Sequence, residues 1–357
     1  MYEQIRVDTL YIMLYAVATA MALMASCYLL LGRANVIAPD ITPPVRLRRW
    51  TGVLLAFLAL NHLWYMPIFF LTSSEDIMLC DLMGGLLDCM TLFPVTFIVL
   101  ITMLQDRRRP LWPVAVMFAP LIVVGTFSVA TRSYALQPMA YTYFLLMCIG
   151  LIIYMARALR QYGRWLRDNY ADLEHKEVWQ SFAVLSIILL VFGIYAFTSE
   201  GSSYQYAMQI IIVVLICYFV WRVETLSGLT PTPVLRYPKN GVGGEAIEPL
   251  LQKYCIDTQL YLQHDLSLAQ LAKAIGTNRS YLGTYFAQEG TNYNAYINDL
   301  RIQHFVRLYR EAVDGHRPFT AQQLACDSGY RSYSTFSLAF KQRMGQTVTA
   351  WMRDATK

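Results

Sequence analysis

The stretch 267–286, SLAQLAKAIGTNRSYLGTYF, decides the reading of the carboxyl-terminal half. Ser267 with Gln270 three residues on forms a capping box ahead of the apolar positions Leu268, Leu271, Ala272 and Ile275. Gly276-Thr277 ends that helix, and Thr277 or Asn278 caps a second one over Arg279–Gln288. Two short helices joined by a glycine-containing turn make a helix-turn-helix. Tyr281, Leu282, Tyr285 and Phe286 face inward in this reading. Asn278, Arg279, Ser280, Gly283 and Thr284 are left on the outside.

The same design recurs at 320–340, TAQQLACDSGYRSYSTFSLAF. Thr320 and Gln323 repeat the box, Ser328-Gly329-Tyr330 makes the turn, and a helix follows over about 332–343. Phe336 and Phe340, four residues apart, face inward. Arg331, Ser332, Tyr333, Thr335 and Ser337 are the outer candidates. A helical stretch, Tyr293–Arg310, joins the units and spans about 27 Å. Successive major grooves on one face of a duplex lie about 34 Å apart. A rod of this length sets two recognition helices into neighbouring grooves.

These segments closely resemble the AraC/XylS-type DNA-binding domain. The likeness is carried by Leu271-Ala272 through Tyr281-Leu282, by 297–302 (INDLRI), by 324–330 (LACDSGY), by 336–341 (FSLAFK) and by Gly345-Gln346-Thr347. It covers about residues 250–354. The resemblance implies a bacterial transcription regulator with two helix-turn-helix units on one linking helix. Its implied partner is double-stranded promoter DNA; RNA polymerase and a second copy in a homodimer are further candidates. Ala287-Gln288 stands where the family often has a basic pair, and Val348 where it usually has proline.

Nucleic-acid chemistry points the same way independently. Lys and Arg neutralise phosphates, while a few side chains read base edges. Arg279 and Arg331 each begin a recognition helix, and the arginine fork suits guanine. Lys341, Arg343 and Arg301 read as phosphate contacts or as salt bridges within the fold. For any single one, a solvated surface charge is the alternative. Residues 231–357 carry 14 Lys and Arg against 10 Asp and Glu, while residues 1–230 carry 15 against 14.

Upstream lies a linker, 226–246, rich in Pro and Gly. Before it the chain is a different material. The whole sequence is 56% hydrophobic and only 15% charged, with a mean hydropathy of +0.37. That balance excludes a disordered chain and a disulfide scaffold. Seven apolar runs are long enough to cross a bilayer: Thr9–Leu31, Trp50–Leu71, Leu82–Leu104, Leu111–Ala130, Pro138–Met155, Val178–Thr198 and Tyr204–Trp221. The loops after the first, third and fifth hold Arg33, Arg46, Arg48, Arg49, Arg107, Arg108, Arg109, Arg157, Arg160, Arg164, Arg167 and Lys176. The opposite side holds Arg6 and Arg132 only. This bias places the amino terminus outside and the carboxyl-terminal domain in the cytoplasm.

Three polar residues fall inside spans: Asn61, His62 and Asp88. Two readings stand, a small-molecule or lipid ligand site, or interhelical hydrogen bonds that hold the bundle. A retinal protein is excluded, because the only lysine before residue 231 is Lys176, in a loop. An intramembrane zinc hydrolase lacks ligands, since His62 is the only spanning histidine. No nucleotide, hydrolase or protease motif appears, and no catalytic residue, metal site or cofactor is expected.

The sequence therefore predicts an all-α protein. A seven-helix transmembrane sensor (1–225) is joined by the linker to an AraC-type DNA-binding domain (247–357). The predicted role is a one-component transcription regulator of the bacterial inner membrane, multi-pass in the lipid bilayer and not an enzyme. The alternative is a transporter or channel whose DNA-binding domain is regulatory.

Overall fold

The computed structural model describes residues 9–32, 34–184, 186, 202–229 and 247–355. The described residues are helical, with one isolated β-bridge. They form two compact units. Unit 1 is Met1–Arg160 with Val178–Pro231. Unit 2 is Thr232–Lys357 joined by Gln161–Glu177, a segment that follows the fifth apolar run.

Unit 1 contains α1 (Thr9–Leu31), α2 (Val45–Tyr65), α3 (Ser74–Met90), α4 (Leu92–Thr102), α5 (Trp112–Thr131), the first part of α6 (Gln137–Asn169) and α7 (Ser202–Thr225). Among the described residues, six helical stretches are long and apolar enough to cross a membrane: Thr9–Leu31, Val45–Phe69, Ser74–Thr102, Trp112–Thr131, Gln137–Asn169 and Gln205–Thr225. Of the remaining expected span, Val178–Thr198, most lies outside the described residues. Its described part is helical over 179–184. The Ser74–Thr102 stretch breaks between α3 and α4 at Thr91, just before Pro94. Proline has no N–H to give and clashes with the preceding turn, so it belongs in a first turn such as that of α4.

The packing of unit 1 is inverted relative to a water-soluble protein. Met13, Met24, Val123, Leu146 and Ile152 are exposed, while Ser26, Asn61, His62 and Gln209 are buried. Small residues bring α1 and α2 together. Ala18, Ala22 and Ser26 form a buried stripe, and Ser26 Oγ donates to the Gly52 carbonyl at 2.8 Å. A methyl on Gly52 would fall 2.7 Å from Leu30. Close approach over small residues, with polar groups turned inward, is how helices associate in lipid. Residues 226–229 of the expected linker are held against unit 1. Leu226 is buried, the Gly228 N–H donates to the Thr42 carbonyl, and Gln105 brackets Ser227 and Leu229.

The carboxyl-terminal part of unit 2 contains α8 (Ile247–Leu251), α9 (Leu268–Ala274), α10 (Arg279–Gln288), α11 (Tyr293–Asp314), α12 (Ala321–Asp327), α13 (Tyr333–Met344) and α14 (Val348–Ala355). A π-turn, Gln252–Ile256, and a 3-10 turn, Leu260–Leu262, follow α8. The linking helix α11 has 22 residues, hence about 33 Å. It divides its buried face between two cores. Tyr293 and Ile297 pack with Leu271, Leu282 and Phe286. Ile302, Phe305 and Tyr309 pack with Leu324, Phe336 and Phe340.

Two glycine turns close the helix pairs, and they differ in tolerance. Gly276 has φ +74° with open space around it. Gly329 has φ +89°, and a Cβ there would meet the Leu262 backbone at 2.8 Å. Gly276→Ala is expected to cost about 1 kcal/mol, the ordinary left-handed penalty. Gly329→Ala adds a backbone clash to the same penalty and is expected to cost at least about 2 kcal/mol. Thermal unfolding of the two variants side by side checks the order.

Candidate nucleic-acid interface

Each helix of the two pairs, α9 with α10 and α12 with α13, begins at a capped N-terminus. The Ser267–Gln270 box on α9 is complete in both directions. Asn278 caps α10 by accepting from the Tyr281 N–H at 2.8 Å. Thr320 caps α12 through the Gln323 N–H, and Ser332 caps α13 through the Thr335 N–H. These caps satisfy backbone donors that a helix cannot pair internally. They fix where each helix starts, and so where Arg279 and Arg331 emerge.

The candidate DNA-contacting residues divide by position. Arg279 is half-buried, and Ser280 and Thr284 are exposed along the outer side of α10. Gly283 lies nearer the inside, since a Cβ there would touch Leu268 of α9 at 3.8 Å. Arg331 and Lys341 are exposed, and Ser332, Thr335 and Ser337 are half-buried. Tyr333 differs from the outward placement expected of it. It packs on the second core, with its ring 5.8 Å from that of Phe336. The apolar ring gains more from burial beside Phe336 than from water.

Arg301 also differs from its expectation. It is 1% exposed, too deep for a phosphate contact. Its Nε donates to the Tyr261 carbonyl at 2.7 Å, and a terminal nitrogen donates to the Gln263 carbonyl at 2.8 Å. The guanidinium also lies over the Tyr330 ring at 5.5 Å. Burial lowers its pKa, and Tyr330, Tyr293, Asp172 and Asp265 oppose that shift. Arg343 instead makes an exposed pair with Asp299 at 2.6 Å.

Gln161–Glu177 touches many of the same outer residues, which its sequence did not reveal. The Trp165 ring lies 5.9 Å from the Arg279 guanidinium. Glu174 accepts hydrogen bonds from the Ser332 and Thr335 hydroxyls, the latter at 2.8 Å. Burial pushes the Glu174 carboxyl up. Those hydroxyls, with His175 and Arg331, outweigh burial and hold it below the usual carboxylate range. Burial lowers the Arg279 pKa, opposed by Tyr170 and Asp168. The available signal was the four acids Asp168, Asp172, Glu174 and Glu177 within a loop otherwise read for its basic charge.

In unit 1 the polar residues form two groups. Asp88 accepts from Asn61 Nδ2 at 2.7 Å and from the Tyr65 hydroxyl at 2.9 Å. Tyr65 and Asp88 line a cavity of about 380 Å³ that Gln137 and Tyr141 also border. His62 belongs to a second group, with Nδ1 3.0 Å from the Leu58 carbonyl and Nε2 3.4 Å from Gln209 Oε1. Among the described residues, no cluster of His, Cys, Asp and Glu could hold a metal ion.

The family model described as a helix-turn-helix domain matches residues 271–354. That segment is an AraC-type helix-turn-helix domain. The amino-terminal region matches no recognised family. No curated protein and no solved structure matches the chain. AraC-type domains bind DNA in transcription regulation, and here one shares a chain with six apolar helices of membrane-crossing length.

Arg301→Ala removes a buried cation and its hydrogen bonds to the Tyr261 and Gln263 carbonyls. It is expected to cost about 3 kcal/mol. Arg343→Ala breaks an exposed pair and is expected to cost under about 1 kcal/mol. Denaturant unfolding followed by tryptophan fluorescence separates the two.

Proposed function

We propose that this chain is a membrane-integrated one-component transcription regulator. Its carboxyl-terminal domain binds promoter DNA sequence-specifically through α10 and α13, from the cytoplasmic face of a bacterial inner membrane. The observation that carries the reading is a pair of capped recognition helices on one linking helix of about 33 Å. That length approaches the roughly 34 Å between neighbouring major grooves. Arg279 and Arg331, one near each helix start, serve as base readers. Lys341 serves as a phosphate contact. The basic bias of the loops supports an external amino terminus.

The signal acts on the apolar unit. Asp88, Asn61 and Tyr65 beside their cavity form the proposed sensing site, because an ionisable group at membrane depth is costly to retain. His62 with Gln209 latches α2 to α7. The chain works by binding rather than by catalysis, and the signal shifts a balance between two arrangements of the bundle.

The test is selection from a random 40-bp duplex library by the full chain in lipid nanodiscs. Enrichment of a motif with two elements about one helical turn apart is expected. Arg279→Ala and Arg331→Ala should each relax preference at one element and weaken the selected site roughly 5- to 150-fold. A pool that stays random after repeated rounds would overturn the reading.

A further inference from the structure

Unit 2 contains a segment that begins outside the helix-turn-helix domain. Gln161–Glu177 packs with Thr232–Lys357, and the attachment runs deep. Ala171 is 1% exposed and belongs to the same core as Leu271, Leu282 and Phe286. Its carbonyl accepts from Asn294 Nδ2 at 2.6 Å and from Asn298 Nδ2 at 3.3 Å, both on α11. Tyr170 pairs with Ser267 in the isolated bridge. Lys176 lies 3.7 Å from Asp265, which also pairs with Arg331 at 3.9 Å.

The anchored segment faces the recognition helices. Trp165 and Asp168 border a cavity of about 690 Å³ whose other wall includes Arg279, Ser280, Gly283 and Thr284. Glu174 sits at the start of α13, held by Ser332 and Thr335. A helix N-terminus flanked by hydroxyls is where a nucleic-acid phosphate would bind. Here a carboxylate of the chain itself fills one such position, and a second carboxylate stands near Arg279.

We infer that Gln161–Glu177 is a built-in occupant of the DNA-binding face, its acidic side chains standing where phosphates would, so that duplex and segment exclude each other. The inference rests on the DNA-binding reading above. It deepens that reading by naming the group that must leave before DNA enters. Trp165 and Asp168 lie in the last turns of α6, a helix continuous from Gln137 to Asn169. The occupant thus continues the helix that carries a candidate membrane span. The apparent affinity for DNA falls by the fraction of molecules in which the segment is docked.

The experiment uses the full chain in nanodiscs and a labelled random-sequence 40-bp duplex pool, with anisotropy as the readout. Glu174→Gln with Asp168→Asn weakens the docking while conserving shape. Glu248→Gln with Asp257→Asn removes the same charge away from the segment. The first pair is expected to bind the pool about tenfold more tightly, or more, than both wild type and the second pair. Equal affinity for the two pairs overturns the inference and leaves DNA binding standing. No binding by any of the three overturns the DNA-binding reading and the inference with it. Hydrogen exchange gives an independent check. The backbone amides of 173–177 in wild type should lose protection when duplex is added, and undiminished protection at saturating duplex overturns the inference.

Discussion

A buried arginine on the linking helix holds the DNA-binding domain in register. Arg301 is the side chain through which α11 grips the turn at Tyr261 and Gln263 on one side and Tyr330 on the other. Moving a guanidinium out of water is costly, and among the described residues no carboxylate lies within ion-pair distance of it, Asp172 and Asp265 acting from farther off. Carbonyl acceptors and an aromatic face take that place. The fork is rigid and planar, so its partners have little freedom to slide. Tyr330 follows the turn between α12 and α13, and the 261–263 turn precedes α9. One residue therefore ties both units to the same rod, and the spacing of α10 and α13 follows from it.

The amino-terminal unit is packed in a way that suits lipid. Large apolar side chains such as Met13, Met24 and Leu146 face out, while Ser26, Asn61, His62 and Gln209 are buried beside an apolar core. In water this arrangement would aggregate. In lipid it is the stable one, because association there depends on close packing and internal hydrogen bonds rather than on the hydrophobic effect. Ser26 against Gly52 and Asn61 against Asp88 are examples. Glu224, fully buried, is paired with Arg48 at 2.9 Å, which secures the end of α7 against the start of α2.

Much of this was legible from local patterns. Residues 278–288 and 332–344 carry cap, turn and apolar spacing in agreement with one another, so α10 was placed to the residue and α13 to within one. The family likeness spanned the matched segment 271–354. Residues 247–262 form a short helix, a π-turn and a 3-10 turn rather than one helix. Arg301 and the half-buried Tyr333 sit deeper than their residue types suggest. Residue type suggests exposure, whereas burial is set by what lies opposite.

The order of elements, the helix starts, the apolar spans and the basic bias of the loops follow from the sequence by itself, because caps, periodicity and charge act within a few residues. Only tertiary structure decided what the 161–177 loop does. Its acids meet Ser332, Thr335 and Arg279 across gaps of 111 to 161 positions, and no local rule encodes a partner that distant. The same holds for Asn61 and Asp88, which share one hydrogen bond, while His62, adjacent to Asn61, faces Gln209. Neighbours in a helix point about 100° apart, so adjacency in sequence separated what folding then assigned to different sites.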